Sequence, residues 1–183
     1  MTRLLTDTSR FRVVFVCTGN ICRSPMAEAV TKHIAARAGL ADRVTVESAG
    51  IGDFHVGETA DPRTERALRA SGYDLGDHRA KQFQPDWLEL FDLVVALDKG
   101  QKRALKAMAS QNVRSRVKLL MRFDPEADIR DVPDPYYSDE PFFTEVLRQI
   151  ESACEKLFSQ IEPALRSPNS APRPPEKQHL ERS

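Results

Sequence analysis

Short apolar runs alternate along the chain with longer segments in which apolar residues recur every three or four positions. The short runs are rich in valine and leucine, which is typical of buried parallel strands. They cover residues 12–17, 43–50, 92–98 and 116–120. The longer segments have the periodicity of helices and cover residues 24–39, 61–72, 99–109 and 140–165. This alternation predicts an α/β domain with a parallel sheet, right-handed crossovers and helices on both faces.

The residue types at the ends of the first predicted helix support this assignment of strands and helices. Pro25 stands in the first turn of the first helix, where a missing N–H costs nothing, and Gly39 is suited to end that helix. The last segment carries one apolar stripe that includes Cys154, so we predict that Cys154 is a buried core residue. The stripe consists of Phe143, Val146, Leu147, Ile150, Cys154, Leu157, Phe158 and Ile161.

The length of 183 residues fits one domain, which we place at residues 11–165. Residues 1–10 are expected to be frayed. Residues 166–183 contain four prolines and almost no apolar side chains. Such a segment cannot bury enough surface to offset its ordering entropy, so we predict a disordered tail.

Charge and cysteine content limit the partners and the compartment that can be expected. Lys+Arg and Asp+Glu both total 27, so no global field attracts nucleic acid or an anionic membrane, and neither is expected as a partner. Three cysteines do not make a disulfide framework and favour a reducing compartment. The N-terminus does not read as a signal peptide, and no run approaches the length of a membrane span. We therefore expect a cytoplasmic protein.

The loop "CTGNICRS" lies between the first strand and the first helix, at the sheet edge where α/β folds bind ligands. Gly19 and Asn20 are suited to positive φ, so the loop could turn successive N–H groups inward around an anion. Arg23 adds a planar fork that matches two phosphate oxygens. The predicted phosphate-binding residues are Thr18, Gly19, Asn20, Ile21, Cys22, Arg23 and Ser24.

Cys17 would lie at the base of this loop. The donors that hold phosphate, together with the helix N-terminus and Arg23, would also stabilise a thiolate. The hydroxyl of Ser24 could donate to the sulfur. We therefore predict that Cys17 is a nucleophile aimed at bound phosphorus.

The two loop cysteines also have other possible interpretations. Cys17 and Cys22 could both be core residues at a strand end. A zinc site would need a second Cys or His pair at fitting spacing, and the chain has none, so no metal is expected. The loop also lacks the Gly-Lys-Ser/Thr of an ATP-binding glycine loop.

The segment "VFVCTGNICRSPMAEAV" resembles the signature of the low molecular weight protein tyrosine phosphatases, and the resemblance extends over about residues 11–160. It implies a three-layer α/β/α fold with a four-stranded parallel sheet in the order 2-1-3-4. It also implies hydrolysis of phosphotyrosine in proteins through a phosphocysteine, with catalytic Arg23, no cofactor, and a monomer or weak dimer. The stretch from His55 to Ala80 resembles the bacterial, PtpA-like branch, which would allow unconventional secretion.

A general acid must protonate the leaving oxygen of tyrosine. On its own, "DPYY" at residues 134–137 is more often a surface turn than a catalytic loop. The family carries an Asp-Pro acid loop before its last helix, and this resemblance implies that Asp134 is the acid and base. Tyr136 and Tyr137 would then line the cleft. Asp131 is a poorer candidate because no proline follows it.

The resemblance also implies supporting residues. Asn20 would be held by a network that includes Ser48 and His78, and Glu28 could pair with His78. Asp98 matches a position near the pocket. Phe54 and His55 fall in the family's variable wall and could set pocket depth, although His55 is equally compatible with a half-buried surface loop.

Two enzymes on related scaffolds and one binding module are the rival functions. Bacterial protein arginine phosphatases carry threonine where this chain has Ile21, whose branched apolar side chain favours an aromatic ring. Arsenate reduction needs further cysteines near the loop, and none lies between residues 23 and 153. A binding module without turnover would lack Cys17 or Asp134. A disulfide between Cys22 and Cys17 that protects the nucleophile remains a hypothesis.

Overall fold

A computed structural model of the protein describes residues 10–167. Within this range one parallel sheet has the strand order β2-β1-β3-β4, as predicted. Its strands are β1 (Phe11–Cys17), β2 (Val44–Gly50), β3 (Leu93–Ala96) and β4 (Val117–Leu119). The predicted disordered tail falls almost wholly on residues 168–183, outside the described residues.

Every predicted helix is present, with ends that differ by at most two residues. The helices are α1 (Arg23–Arg37), α2 (Pro62–Ala70), α3 (Trp87–Leu90), α4 (Lys99–Met108) and α5 (Glu140–Arg166). The short α3 was not predicted. Gly39 follows the end of α1 at a φ of 70°, and the Asp61 side chain accepts from the Arg63 N–H to cap α2.

The sheet separates two apolar clusters, which confirms the three layers. Phe15 and Val95 face the side covered by α1, α2 and α5. Val14 and Val94 face the opposite side, where α3 and α4 pack. Cys154 is completely buried in the first cluster, and burial raises the pKa of its thiol to about 12, so its prediction as a core residue is confirmed.

The predicted frayed N-terminus covers residues 1–10, of which residues 1–9 lie outside the described part. For Arg10 the prediction is wrong. Its guanidinium donates to the carbonyl oxygens of Ala41, at 2.7 Å, and Val44, at 2.9 Å, and so ties the start of β1 to β2. None of the helices in residues 10–167 is long and apolar enough to cross a membrane.

Candidate active site

Residues 18–22 join the carboxyl end of β1 to the first turn of α1, and we call residues 17–24 the phosphate loop. β1 is an inner strand, so the loop lies at the middle of the sheet edge, between the segments that follow β2 and β3. The N–H of Ile51 donates to the Cys17 carbonyl at 2.9 Å, and that of Gly52 donates to the Thr18 carbonyl at 3.0 Å. These bonds fix the start of the loop against the chain that leaves β2.

The Cys17 sulfur lies among hydrogen-bond partners at the bottom of a cavity. Its Sγ is 2.9 Å from the Ser24 Oγ, as predicted, and it accepts from the Asn20 N–H at 3.3 Å. The side chain is 3% exposed. If the sulfur is a thiolate, the Ser24 hydroxyl must be the donor of their shared bond. The arrangement can therefore stabilise a negative sulfur next to the N-terminus of α1.

Asn20 holds the loop in its turned conformation. Its φ is 59°, the only positive φ among the non-glycine residues of the described chain. The buried side chain donates from Nδ2 to the hydroxyls of Ser24 and Ser48, each at 2.9 Å, and its Oδ1 accepts from the Lys81 N–H at 3.0 Å. Gly19 was also predicted at positive φ, but Asn20 alone in the loop adopts it.

The predicted outer network is present with one correction. The Ser48 hydroxyl donates to Glu28, whose other carboxylate oxygen lies 2.5 Å from the Lys32 Nζ. The His78 Nε2 donates to the Asn20 carbonyl at 2.8 Å. The expected pairing of Glu28 with His78 is therefore wrong: both contribute to the same network, but through Ser48 and the Asn20 backbone respectively.

Gly50 was missed by sequence reasoning. A Cβ at this position would lie 2.8 Å from the Thr18 carbonyl oxygen and 3.1 Å from the Asn20 nitrogen. Backbone atoms cannot yield to such contacts without moving the loop. A glycine at the end of a strand is a weak signal by itself. Gly19 has a related role, because a Cβ there would lie 2.9 Å from the His55 ring.

Arg23 is held by Asp98, which follows β3, and by Val132 in the segment that precedes α5. It is 3% exposed, and its Nη1 donates to the Asp98 carboxylate at 2.8 Å and to the Val132 carbonyl at 3.0 Å. Its Nη2 is 3.5 Å from the Asp134 carboxylate. The guanidinium is therefore oriented by Asp98 and lies between the loop and the predicted acid.

Gln101 is a second residue that sequence reasoning missed. Asp98 caps α4 by accepting from the Gln101 N–H, and the Gln101 side chain accepts in return from the Asp98 N–H. Its Nε2 donates to the Thr18 hydroxyl at 3.1 Å. This capping box links the start of α4 to the phosphate loop. The Asp-x-x-Gln spacing at 98–101 was the available signal.

The segment of residues 131–138 covers the cavity, and we call it the acid loop. Asp134 accepts from the Tyr136 N–H at 3.1 Å, and its side chain is 47% exposed. Asp131 instead accepts from the Lys99 N–H at 2.9 Å, at the first residue of α4. This bond places Asp131 at a helix N-terminus, whereas Asp134 faces Arg23.

Asp61 and Arg63 fasten the acid loop from the other side, and neither was predicted. The Asp61 N–H donates to the Ile21 carbonyl at 2.9 Å. Arg63 binds the Asp61 carboxylate and donates to the carbonyls of Tyr136, at 3.0 Å, and Ser138, at 2.9 Å. Hydrogen bonding to Arg63 lowers the pKa of Asp61. This Asp61–Arg63 bridge joins the phosphate loop to the acid loop.

The loops enclose an open cavity of about 390 Å³. All four predicted pocket residues line it, together with the phosphate loop and Asp134; they are Phe54, His55, Tyr136 and Tyr137. Tyr136 and Tyr137 meet edge to face with ring centroids 4.8 Å apart. His55 faces Tyr136 and pairs with Glu58 at 2.7 Å. An aromatic ring entering this cavity would find aromatic side chains on two sides.

The two loop cysteines differ in their surroundings. Burial, followed by the nearby charge of Asp61, raises the pKa of Cys22 to about 12, so its thiol stays protonated at neutral pH. Both cysteines are free thiols in the structure. Within residues 10–167 no group of three His, Cys, Asp or Glu side chains is placed to hold a metal ion.

The family model described as low molecular weight phosphotyrosine protein phosphatase matches residues 12–167. The chain belongs to this family. It is 50% identical over 155 residues to the low molecular weight protein-tyrosine-phosphatase of Streptomyces coelicolor, which covers 82% of this chain and 93% of that protein. It is 46% identical over 155 residues to protein-tyrosine phosphatase A of Mycobacterium tuberculosis, covering 84% and 93% of the two chains.

Solved structures agree with this assignment. The crystal structure of YfkJ from Bacillus subtilis has a TM-score of 0.81 and 39% sequence identity, over 85% of this chain and 96% of that one. A protein tyrosine phosphatase from Entamoeba histolytica also has a TM-score of 0.81, at 31% identity, over 84% and 97% of the two chains. The protein is thus an enzyme, a protein-tyrosine-phosphatase of the branch that includes phosphatase A, and the resemblance inferred from its sequence is confirmed.

Proposed function

We propose that this phosphatase hydrolyses phosphotyrosine in proteins with Cys17 as nucleophile and Asp134 as general acid and base. The observation that carries the proposal is the position of the Cys17 sulfur. It contacts a hydroxyl and a backbone N–H at the floor of a cavity whose opposite wall holds a carboxyl group. Nucleophile and acid therefore face one space that is large enough for an aryl phosphate.

In the first step the Cys17 thiolate attacks phosphorus, so that an S–P bond forms while the bond to the tyrosine oxygen breaks. Asp134 in its protonated form gives its proton to the departing oxygen. Arg23 supplies two positive N–H donors to the phosphoryl oxygens, where charge spreads in the transition state. The pairing of Arg23 with Asp98 keeps the guanidinium in place before substrate arrives.

In the second step the Asp134 carboxylate takes a proton from water, and the water oxygen attacks the phosphocysteine. The S–P bond breaks, and the thiolate returns to its bonds with Ser24 and Asn20. The same hydrogen bonds therefore serve the sulfur twice, as attacking group and as leaving group.

The walls of the cavity favour tyrosine over arginine. Ile21 lines the cavity and offers an apolar face at the position where arginine phosphatases carry threonine. Tyr136, Tyr137 and Phe54 add aromatic surface at the rim. A phosphoguanidinium would bring extra N–H groups against these apolar groups, which would leave those donors unpaired.

The proposal is tested by comparing turnover of phosphotyrosine, phosphoserine, phosphoarginine and arsenate by the purified protein. We expect phosphotyrosine to be hydrolysed fastest, and a rapid acid quench during turnover to trap phosphate on Cys17, identified by peptide mass. Faster hydrolysis of phosphoarginine would contradict the substrate assignment. Turnover without any trapped phosphocysteine in wild type, together with an active Cys17→Ser variant, would contradict the mechanism.

Metal dependence provides a separate test. The proposed steps require no metal ion, so activity after exhaustive chelation and desalting is expected to equal that of untreated enzyme. Activity that is lost on chelation and restored by a divalent cation would show that a residue set other than Cys17 and Asp134 performs the chemistry.

A further inference from the structure

The segment of residues 99–123 is strongly cationic although the whole chain is neutral. It contains eight lysines and arginines and no aspartate or glutamate, whereas the chain has 27 residues of each sign. Among the described residues, none of these eight cations forms an ion pair with a carboxylate. Arg114 and Arg116 donate to backbone carbonyls, and no carboxylate within the described residues neutralises the charge of the segment.

Helical spacing gathers four of these cations on one face of α4. Lys99, Lys102, Arg103 and Lys106 follow the i, i+3, i+4, i+7 pattern, and the opposite face is buried through Leu105. We call these four residues the α4 cationic face. Arg122, in the turn that follows β4, lies beside it. Partial burial and the charges of Lys106, Arg122 and Lys118 lower the pKa of Lys102, as expected of cations that crowd together.

The α4 cationic face begins at the catalytic edge of the sheet. Asp98, which caps α4, is bonded to Arg23, and the Lys99 N–H is bonded to Asp131 in the acid loop. The first turn of α4 therefore adjoins the wall of the cavity. Because the strand order is β2-β1-β3-β4, this face lies on the β3–β4 side of the cavity opening.

The other side of the opening has the opposite charge. The segment that follows β2 carries Asp53 and Glu58, both exposed, next to the cavity residues Phe54 and His55. The Nδ1 of the His55 ring lies 2.7 Å from the Glu58 carboxylate. A peptide that crosses the cavity would thus meet carboxylates on one side and unpaired cations on the other.

We infer that the α4 cationic face binds acidic residues on one flank of the phosphotyrosine in protein substrates. This inference rests on the proposed function and specifies its substrate class. The face from Lys99 to Lys106 is about 10 Å long, at about 1.5 Å per helical residue. Three or four extended residues of a substrate span that distance, at about 3.3 Å each. Since exposed ion pairs are individually weak, several of them are needed for selectivity.

The test uses three phosphotyrosine peptides with the same neutral core. One has neutral flanks, one has three glutamates on the N-terminal side, and one has them on the C-terminal side. At low ionic strength we expect kcat/KM for one acidic peptide to exceed that for the neutral peptide by about fivefold to tenfold. In about 0.5 M salt, where screening is nearly complete at these distances, the ratio is expected to approach one.

Reversing charges on the α4 cationic face tests whether this surface causes the preference for acidic peptides. In the double variant Arg103→Glu, Lys106→Glu the ratio of acidic to neutral peptide is expected to fall to one or below at low salt. The matched control is Arg37→Glu, Arg69→Glu, which reverses two exposed cations in the last turns of α1 and α2, away from the catalytic edge. The control is expected to keep the wild-type ratio. The ratio is measured within each variant, so a general loss of activity does not affect it.

Several outcomes would overturn the inference. These are equal rates for all three peptides, an equal gain from either flank, or the same loss of preference in both double variants. Binding of duplex DNA or anionic vesicles through this face, without peptide preference, would assign it to a different partner. The proposed function is tested separately by the neutral peptide: if that peptide is not hydrolysed the function itself fails, and if it is hydrolysed without preference only this inference fails.

Discussion

The two walls of the cavity differ in how far they are buried and in the bonds that hold them. The phosphate loop is fixed mainly through buried side chains: Asn20 and Ser24 are completely buried, and Arg23 is 3% exposed. The acid loop is exposed, with 47% of the Asp134 side chain and 94% of Tyr137 open to solvent. It is held mainly through its backbone, because Arg23 binds the Val132 carbonyl and Arg63 binds those of Tyr136 and Ser138.

Under the proposed function, this difference would separate recognition of phosphate from recognition of the group that carries it. Phosphate has one shape, so its wall can be rigid and preorganised, and rigid donors are the most effective at stabilising developing charge. Substrate proteins vary, and a loop anchored by main-chain carbonyls can carry different side chains without losing its position. The comparison predicts that changes in the two walls will have effects of different size and kind.

The largest effect is expected from the phosphate loop itself. Cys17→Ser should lower turnover of p-nitrophenyl phosphate by about 10⁴-fold or more, since no other group can form the intermediate. Vanadate binding, measured by calorimetry, should remain because Arg23 and the loop N–H groups are intact. Cys154→Ala removes a buried thiol that does not line the cavity, and it should keep wild-type turnover. A Cys17→Ser protein with substantial activity would show that another residue attacks phosphorus.

The acid loop should give a smaller effect that depends on the substrate. Asp134→Asn is expected to lower kcat for phenyl phosphate by about 10²–10³-fold, because phenolate leaves poorly without a proton. The loss for p-nitrophenyl phosphate should be much smaller, since its leaving group needs less help. The measurement is kcat across a series of aryl phosphates. The same loss for every leaving group would mean that Asp134 positions the substrate and transfers no proton.

Breaking the Asp61–Arg63 bridge should affect the acid loop and spare the phosphate loop. We expect Arg63→Met to lower kcat for phenyl phosphate about tenfold, because small displacements of a catalytic group are costly. Methionine keeps apolar contact with Phe143, whose ring centroid is 4.4 Å from the Arg63 guanidinium carbon. The matched control is Arg66→Met, on the same helix as Arg63, which removes an exposed ion pair between α2 and Glu140 of α5 and should change little.

A double-mutant cycle sharpens this result. If Arg63 acts by positioning Asp134, then Arg63→Met should cost little more kcat in an Asp134→Asn background. Vanadate affinity should be unchanged in Arg63→Met, because the phosphate loop keeps its own bonds. Additive losses in the cycle, or a large drop in vanadate affinity, would show that Arg63 acts on the whole fold.

The smallest effect is on stability and has a defined pH dependence. Arg63 lowers the pKa of Asp61, so this pair stabilises the fold above about pH 4, the unfolded value, and that contribution is lost as pH falls through the lower folded value. Arg63→Met removes the guanidinium from the Asp61 carboxylate and leaves only the backbone N–H that caps α2, so we expect Tm to drop by about 5 °C at neutral pH. Thermal melts should show this difference shrinking below about pH 4; a constant difference would exclude the ionic contribution of Asp61.

The phosphate loop could be predicted from the sequence more directly than the acid loop. Cys17 to Ser24 are contiguous, so the type and order of the residues were sufficient to predict a nucleophile, an anion loop and the Ser24 contact. Asp134 was predicted by resemblance, since an Asp-Pro turn alone does not say what it faces. The pairing of Glu28 with His78 was wrong because both lie near Asn20, and sequence does not show which polar group lies between them.

The missed residues share a physical reason. Arg63 acts on carbonyl oxygens, which every residue has, so no pattern in the acid loop marks its partner. Gly50 acts by the absence of a side chain next to a loop that is distant in sequence. Gln101 was accessible through the Asp98–Gln101 capping spacing, but its bond to Thr18 depends on two strands lying side by side.

The tight approach at Gly50 has a consequence for mutational tolerance. In a saturation library selected for activity, position 50 should accept no substitution, although it touches no substrate, because any Cβ would meet the Thr18 carbonyl at 2.8 Å. Four residues later, Phe54 is 73% exposed at the cavity rim and should accept many. To change the substrate range by engineering, position 54 can therefore be varied, whereas position 50, four residues earlier, must stay glycine.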